Sequence, residues 1–478
     1  MNFTRKTQSM RIGFYGAAQM VTGSKHLITL EDGTNILLDC GLFQGAGPAT
    51  EALNQAFGFD AAKVNYVILS HAHIDHSGLL PKLVKEGFTG KIYCTAPTRA
   101  LAGILLMDSA NIQKHATQHT ANGKEEVPSD PFYDTDDVKA TLPLFEVLEY
   151  NAWQTLQPGV EVMLTDAGHL LGSAAVHLKI TEDGITQQVT FSGDIGRYRH
   201  PLLCPPQEFP QADYIILEST YGSSLHDPLF SATDELMKLI QHTCMRKKGK
   251  LVIPAFSLGR TQELLVHLKQ LTLEKRLADI PVIVDSPLSL AATEIFAEYS
   301  DCLNDRLATL SENGDSPFDF PNLHWTRCVE DSLKIKGITE PAIIIASSGM
   351  ADAGRIRHHI ADTIEDRNNT ILLVGYCSPA SLGGQLLSGE KIVTINGQDY
   401  EVAANIASIS SMSAHGDYDN LCQFLSCQKS SGVKKLFLVH GEQKVQEEFQ
   451  KKLLNKGFAD VHIPALNEVC SLSSPVAV

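Results

Sequence analysis

Apolar and polar positions alternate in short blocks along this chain. Val64 to Leu69 is a mostly apolar, β-branched-rich run that stops abruptly at Ser70, which predicts a buried parallel strand. Gly78 to Val84 then reads as the start of a helix. Similar blocks predict strands at Ile12-Gly13-Phe14-Tyr15, Lys25 to Leu30, Ile36 to Leu38, Ile92 to Cys94, Val160 to Leu164, Gln188 to Ser192 and Tyr214 to Leu217. Short turns such as Glu31 to Asn35 join the earliest of these, so the sheet has antiparallel parts. Thr98 to Gln113 predicts a helix, and the polar stretch Ala121 to Asp137 an exposed loop.

From Lys250 the pattern becomes regular strand–helix alternation. Strands are predicted at Lys250 to Ala255, Pro281 to Asp285, Pro341 to Ala346 and Thr370 to Tyr376. Helices follow from about Arg260 to Arg276, over Leu288 to Glu298, from about Gly354, and over Leu382 to Leu387, with a loop at Gly314 to Pro321. Parallel strands with crossover helices imply a doubly wound domain. A final strand, Lys434 to Val439, closes the pattern, and no internal repeat is evident.

The polar residues at strand ends carry the candidate chemistry. Four metal-type side chains, His71, His73, Asp75 and His76, fall within six residues directly after a strand. Open α/β sheets place ligands at such carboxyl ends. The His71/His73 alternation can aim two imidazoles at one ion, and Asp75 and His76 point to a second position. Imidazole and carboxylate without sulfur suit zinc, manganese or iron. His169, Asp194 and His440 each follow another strand, and one carboxylate such as Asp194 can bridge two ions. Asp39 ends a strand before a glycine; it reads either as a carboxylate that fixes a ligand histidine or as a turn cap.

Composition narrows the class. The 478 residues suffice for two or three cores, and 43% apolar with 20% charged content is that of a soluble globular protein. No apolar run reaches the length of a membrane span, and Met1 to Lys6 lacks the apolar core of a secretory signal, so a cytoplasmic location is expected. The ten cysteines include no Cys-x-x-Cys pair and are expected to be reduced. A formal charge of −16 disfavours coating nucleic acid by bulk charge, but leaves room for a local grip on phosphate.

Taken together, these motifs resemble the metallo-β-lactamase superfamily. Glu218 in Leu217-Glu218-Ser219-Thr220-Tyr221-Gly222, His415 in Ser413-Ala414-His415-Gly416-Asp417 and His440 in Val439-His440-Gly441-Glu442-Gln443 resemble motifs A, B and C of its β-CASP branch. Pro254 to Glu263, Ser347 to Met350, Gly16-Ala17-Ala18 and Val21 to Ser24 are also typical of that branch. The match runs from about residue 11 to 465 and is similar to the bacterial type of cleavage-and-polyadenylation-endonuclease-like RNA-processing nucleases.

The resemblance implies an α/β chain with a four-layer αββα metallo-β-lactamase fold and an inserted doubly wound β-CASP domain. The expected parts are 10–222 and 412–470 for the first domain and 223–411 for the insert. It implies two zinc ions, one held by His71, His73 and His169, the other by Asp75, His76 and His440, with Asp194 between them. Asp75 and Asp39 join the catalytic set, and His415, oriented by Glu218, is the implied general acid. The implied reaction is RNA phosphodiester hydrolysis, endonucleolytic with 5′-to-3′ exonuclease action as an option, leaving 5′-phosphate and 3′-hydroxyl ends. A histidine in motif C goes with RNA-acting members, so His440 argues for RNA.

Ser413, Ser347, Ser348 and Arg355 are candidate substrate contacts, and equally loop or helix-cap residues. Arg260 reads as a phosphate contact or a domain-packing pair; His177, His200, His226, His358 and His359 read as structural or surface. RNA is the expected partner, a homodimer is expected from bacterial relatives, and no membrane association is expected. The competing readings are a small-ester or thioester hydrolase and a non-catalytic partner of an active relative.

Overall fold

The computed structural model describes residues 10–45, 49–120, 131–226 and 232–472. The chain forms two compact units. The first takes in Met1–Tyr198, Pro205–Leu225 and His415–Val478; the second takes in Arg199–Cys204 and His226–Ala414.

In the first unit two seven-stranded sheets pack face to face. One runs from edge to edge as Glu468–Ser471, Arg11–Phe14, His26–Thr29, Asn35–Leu38, Tyr66–Ile68, Lys91–Cys94 and Phe145–Val147. The other runs Val461–His462, Lys435–Val439, Tyr214–Glu218, Ile185–Phe191, Ala174–Glu182, Val160–Asp166 and Gln154–Gln157. Phe14, Ile28, Ile36 and Ile68 of the first meet Leu164, Val176, Phe191 and Phe437 of the second in one core. The outer face of the second sheet is covered by helices Tyr418–Phe424 and Gln443–Asn455, through Leu421, Phe424, Phe449 and Leu453.

Strand Tyr214–Glu218 shows why the pattern read as a continuous apolar run. Tyr214 and Ile216 enter the core between the sheets, whereas Ile215 and Leu217 enter the helix-covered core. Both faces are buried, so period-2 alternation of polarity vanishes. Tyr66–Ile68 lies parallel to Asn35–Leu38, and Tyr214–Glu218 lies parallel to both Val189–Phe191 and Lys435–Val439.

The second unit is built on a six-stranded, wholly parallel sheet, ordered Leu323–Trp325, Val282–Val284, Ile343–Ala346, Leu251–Pro254, Thr370–Leu373 and Asn405–Ser408. Crossover helices include Arg260–Leu273, Pro287–Glu298 and Ile356–Ala361. This is the expected doubly wound layout.

Several elements differ from expectation. The stretch Ala121 to Asp137 is not wholly loop: residues 121–130 lie outside the described part, but Thr135–Thr141 is a helix. Asp134 caps it by accepting from the backbone N–H of Asp136 and Asp137, while Asp137 accepts in return from the N–H of Asp134. The helix at Ala96–Thr120 outruns the expected Thr98 to Gln113. Strands Ala174–Glu182, Leu323–Trp325 and Asn405–Ser408 were not expected; the last two are short sheet edges with exposed positions.

Candidate metal centre

The strand Asn35–Leu38 ends at Asp39, which sits at φ +60° with its side chain fully buried. Its carboxylate is saturated. Oδ1 accepts the Ser70 N–H at 2.7 Å; Oδ2 faces the hydroxyls of Ser70 at 2.9 Å and Ser24 at 3.3 Å, and the His76 Nδ1 at 2.6 Å. Asp39 thus touches the backbone of the ligand loop at Ser70 and the ring of His76 at once.

After Tyr66–Ile68 the chain passes Ser70 and His71 to a one-turn helix, Ile74–Ser77, with His73 at its N-cap. This compact loop puts His71, His73, Asp75 and His76 around one space. It needs Gly41 beside it: a Cβ there would lie 1.6 Å from the Asp75 carbonyl oxygen. Gly196 plays the same part on the facing loop, where a Cβ would fall 1.8 Å from the Gly168 carbonyl.

Three histidines present Nε2 to this space because a neighbour takes Nδ1. The Nδ1 of His71 meets the Ser70 hydroxyl at 3.1 Å, that of His76 meets Asp39, and that of His440 meets the Thr220 hydroxyl at 3.1 Å. In each contact Nδ1 faces an oxygen able to accept its proton, which aims Nε2 into the space.

Two donor sets result. His71 Nε2 and His169 Nε2 lie 3.0 and 3.2 Å from His73 Nδ1, and 3.6 and 3.5 Å from Asp194 Oδ2. His76 Nε2 lies 3.2 Å from His440 Nε2, which is 3.4 Å from Asp75 Oδ2. The sets share Asp194, whose Oδ2 is 3.3 Å from His76 Nε2. Donors at 2.0–2.1 Å from a tetrahedral ion stand roughly 3.3 Å apart, so these spacings fit divalent ions. Asp194 Oδ1 and His169 Nδ1 are buried and make no hydrogen bond among the described residues.

Electrostatics agree with the donor chemistry. Burial lowers the pKa of His71 and His169 well below the usual histidine value and that of His73 to about 4, so their lone pairs are open. Burial alone would protonate Asp194, but the charges of His440 and His76 keep it ionised. Burial likewise opposes a charge on His76, yet Asp194, Asp75 and Asp39 raise its pKa well above normal.

Glu218 and His415 adjoin the sets. Glu218 is fully buried; Oε1 accepts the Ile195 N–H at 2.7 Å and Oε2 the Thr220 N–H at 3.2 Å. Its Oε1 lies 3.2 Å from His415 Nδ1, and His415 Nδ1 lies 4.0 Å from Asp194 Oδ2. Burial lowers the His415 pKa, but Glu218 overrides it and holds the imidazole up at about 9. Asp75 and His415 are partly exposed, with 19% and 21% of their side chains accessible, and His73 is half-buried beside them.

The remaining candidates belong to the second unit. Ser347 donates to the Ser286 hydroxyl at 3.1 Å, Ser348 Oγ accepts the Ala353 N–H, and Ser413 follows a one-turn helix, Ser410–Met412. Arg355 is held by Asp285 at 2.7 Å, and His359 meets the same carboxylate at 2.6 Å. Arg260 is buried in a short contact with Glu263 one turn along its helix. Thr220, Ser70 and the Asp39 contact of Ser24 were not foreseen as site residues; their hydroxyls lie beside motif residues, but serine and threonine are too common in loops to stand out.

Three family models match the chain: the metallo-beta-lactamase superfamily over residues 23–241, the Beta-Casp domain over 261–386, and the Zn-dependent metallo-hydrolase RNA specificity domain over 399–464. Ribonuclease TTHA0252 of Thermus thermophilus is 33% identical over 91% of this chain and 94% of its own. Transcription termination factor FttA of Methanocaldococcus jannaschii is 31% identical over 91% of this chain and 67% of its own. An RNase J-like protein of the same organism is 29% identical over 90% and 92%. A protein of unknown function from Enterococcus faecalis V583 shares the fold, with a TM-score of 0.53 at 10% identity over 97% of this chain and 100% of its own.

Proposed function

The chain belongs to the metallo-β-lactamase superfamily, with β-CASP and RNA-specificity domains, and we propose that it is a two-zinc ribonuclease hydrolysing RNA phosphodiester bonds. The observation that carries this reading is the convergence of seven donors into two sets that share Asp194. His71, His73 and His169 would hold one zinc; Asp75, His76 and His440 the other; Asp194 would touch both. When bound, two such ions activate a water as nucleophile and draw charge from the phosphoryl oxygens of an in-line displacement.

The chain's own residues do the rest. Ser70, Asp39 and Thr220 hold the Nδ1 protons of His71, His76 and His440, which keeps each Nε2 aimed inward. Glu218 fixes the Nδ1 of His415 and favours its imidazolium. His415 Nε2–H then donates its proton to the departing 3′ oxygen, so that the fragments end in 5′-phosphate and 3′-hydroxyl. Removing that charge from the leaving group is the part of the barrier assigned to protein rather than metal.

RNA is favoured as substrate by the RNA specificity model over residues 399–464, by the ribonuclease relative, and by histidine at position 440. Ser347, Ser348, Arg355 and Ser413 are proposed as phosphate contacts; Arg355 spends one side of its guanidinium on Asp285 and keeps donors for an anion. Endonucleolytic cleavage, with 5′-to-3′ exonucleolysis in addition, a cytoplasmic location and a homodimer complete the reading; no described helix is long and apolar enough to cross a membrane.

The test is purified protein on 5′- and 3′-labelled RNAs, with and without chelator, beside Asp75→Ala. Metal-dependent cleavage lost in the variant is expected. Intact RNA across a range of substrates contradicts the proposal, and faster turnover of an acyl-glutathione would transfer it to thioester hydrolysis.

A further inference from the structure

A second group of metal-type side chains lies away from this centre. Strand Val461–His462 is the edge of one sheet of the first unit, paired with Leu436 and Phe437. Strand Glu468–Ser471 is the edge of the other sheet, with Glu468 opposite Phe14 and Cys470 opposite Ile12. The short connection between them thus crosses from one sheet to the other. His462, Glu468 and Cys470 meet at its base.

Their geometry is convergent. Glu468 and Cys470 are two residues apart on one strand and so share a face. Glu468 Oε1 lies 2.7 Å from His462 Nε2 and 3.3 Å from Cys470 Sγ, and all three donor atoms lie within 4.8 Å of one another. The group is pre-positioned. Glu468 Oε2 accepts the Ala465 N–H at 2.8 Å, the His462 ring stands edge-on to Phe437, and the Asn467 N–H donates to the Phe14 carbonyl at 2.7 Å. Burial favours a neutral Glu468, but the Ala465, His462 and Cys470 contacts keep it ionised.

We propose that His462, Glu468 and Cys470 form a further metal site, for one zinc-class divalent ion, with a fourth position left to water. The donor set is one nitrogen, one oxygen and one sulfur, which suits borderline-soft ions such as zinc or cobalt rather than magnesium or calcium. Tetrahedral coordination requires roughly 3.3 Å between nitrogen and oxygen and about 3.5 Å between oxygen and sulfur. The Glu468–Cys470 spacing is already close, and His462 and Glu468, each about one-third exposed, have room to open by a few tenths of an ångström. Cys470 binds as thiolate and loses its proton to solvent, the His462 proton moves from Nε2 to Nδ1, and the Nε2–Oε1 hydrogen bond gives way to two metal bonds. The nearby cation, Lys435, is tied to Asp460 at 3.3 Å. The bound ion pins the crossing between the sheets, and so anchors the edge strand Glu468–Ser471.

Sulfur makes the proposal separable from the main centre, whose candidate ligands include no cysteine. Metal-stripped, reduced full-length protein is titrated with cobalt(II) and followed by absorption, wild type beside Cys470→Ser and His462→Gln. The expected result is a thiolate-to-cobalt charge-transfer band in the near ultraviolet whose amplitude, once all sites are filled, corresponds to one cobalt per chain in wild type, is absent in Cys470→Ser, and weakens in His462→Gln. Visible bands from the histidine–carboxylate centre stay in all three. Wild type should also retain one more equivalent of zinc than Cys470→Ser. Absence of the band in wild type, or its persistence in folded Cys470→Ser, overturns the proposal; if Cys470→Ser does not fold, an undiminished band in His462→Gln does so.

Discussion

The Nδ1 of His76 lies 2.6 Å from Oδ2 of Asp39, and its Nε2 lies 3.2 Å from the Nε2 of His440, 364 positions along the chain. One buried carboxylate thus directs an imidazole that, in the proposed reading, shares an ion with a residue from the far end of the sequence. Partners of this kind, behind a ligand histidine, change metal affinity by about 10–100-fold when removed. Asp39→Asn keeps the shape and loses the charge. We expect chelator competition to show weaker retention of one zinc per chain in that variant, with the other less affected. Equal retention in both proteins would deny Asp39 this role.

In the proposed mechanism the Glu218–His415 pair serves proton transfer and not metal binding. His415→Ala should lower the cleavage rate by about 10²–10⁴-fold while metal content holds. Glu218→Gln should fall between, because His415 remains but loses the charge that favours its imidazolium. The measurement is single-turnover cleavage beside elemental analysis of the same samples. A parallel loss of metal would make the pair structural instead.

Gly41 tests the packing of the ligand loop. Any Cβ there meets the Asp75 carbonyl oxygen, which belongs to backbone and cannot swing away. Gly41→Ala is expected to shift Asp75 and weaken metal binding more than it weakens folding, read by chelator competition against thermal unfolding.

His177 gives a pH signature of stability. Its ring nitrogens meet the hydroxyls of Thr165 at 2.9 Å and Thr190 at 3.0 Å, and burial lowers its pKa to about 3. The unfolded chain takes up this proton near the ordinary value of 6.5; the folded chain does not. The unfolded state therefore binds more protons below that value, and stability falls as pH drops from 6.5 toward 3. One such group contributes a slope of up to about 1.4 kcal/mol per pH unit. Denaturant unfolding of His177→Gln should show a shallower slope across that window; an unchanged slope would contradict the assignment.

In the second unit, the buried Glu263 faces Arg260, with His200 Nε2 at 3.8 Å and His267 Nε2 at 3.7 Å. Removing one partner of a buried pair leaves the other charge stranded, at a cost of about 3–5 kcal/mol. Glu263→Ala should lower the unfolding midpoint of this unit markedly, and Glu263→Gln less.

What could be read from sequence follows from where polarity breaks. His71, His73, Asp75, His76, His169, Asp194 and His440 stand at or just beyond the ends of apolar runs, where a polar residue is conspicuous. Thr220 and Ser70 stand there too, yet a hydroxyl in a loop carries no comparable signal, so the groups that fix the ligand tautomers were hidden. The strand Ala174–Glu182 keeps Val176, Leu178 and Ile180 in alternation, but the buried His177 between them blurs its polar face. Thr135–Thr141 was masked by its own acidic cap, since Asp134, Asp136 and Asp137 read as loop until the capping geometry is seen. Asn405–Ser408 pairs on one side only and is half-exposed, so neither apolar density nor alternation marks it.

The central claim is that side chains scattered over the chain seat two ions around Asp194. Diffraction from zinc-loaded crystals at the zinc absorption edge tests it most directly. The account predicts two neighbouring anomalous peaks, one ringed by His71, His73 and His169, the other by Asp75, His76 and His440, with the Asp194 carboxylate touching both. A single peak there, or two peaks of which neither contacts Asp194, would contradict it.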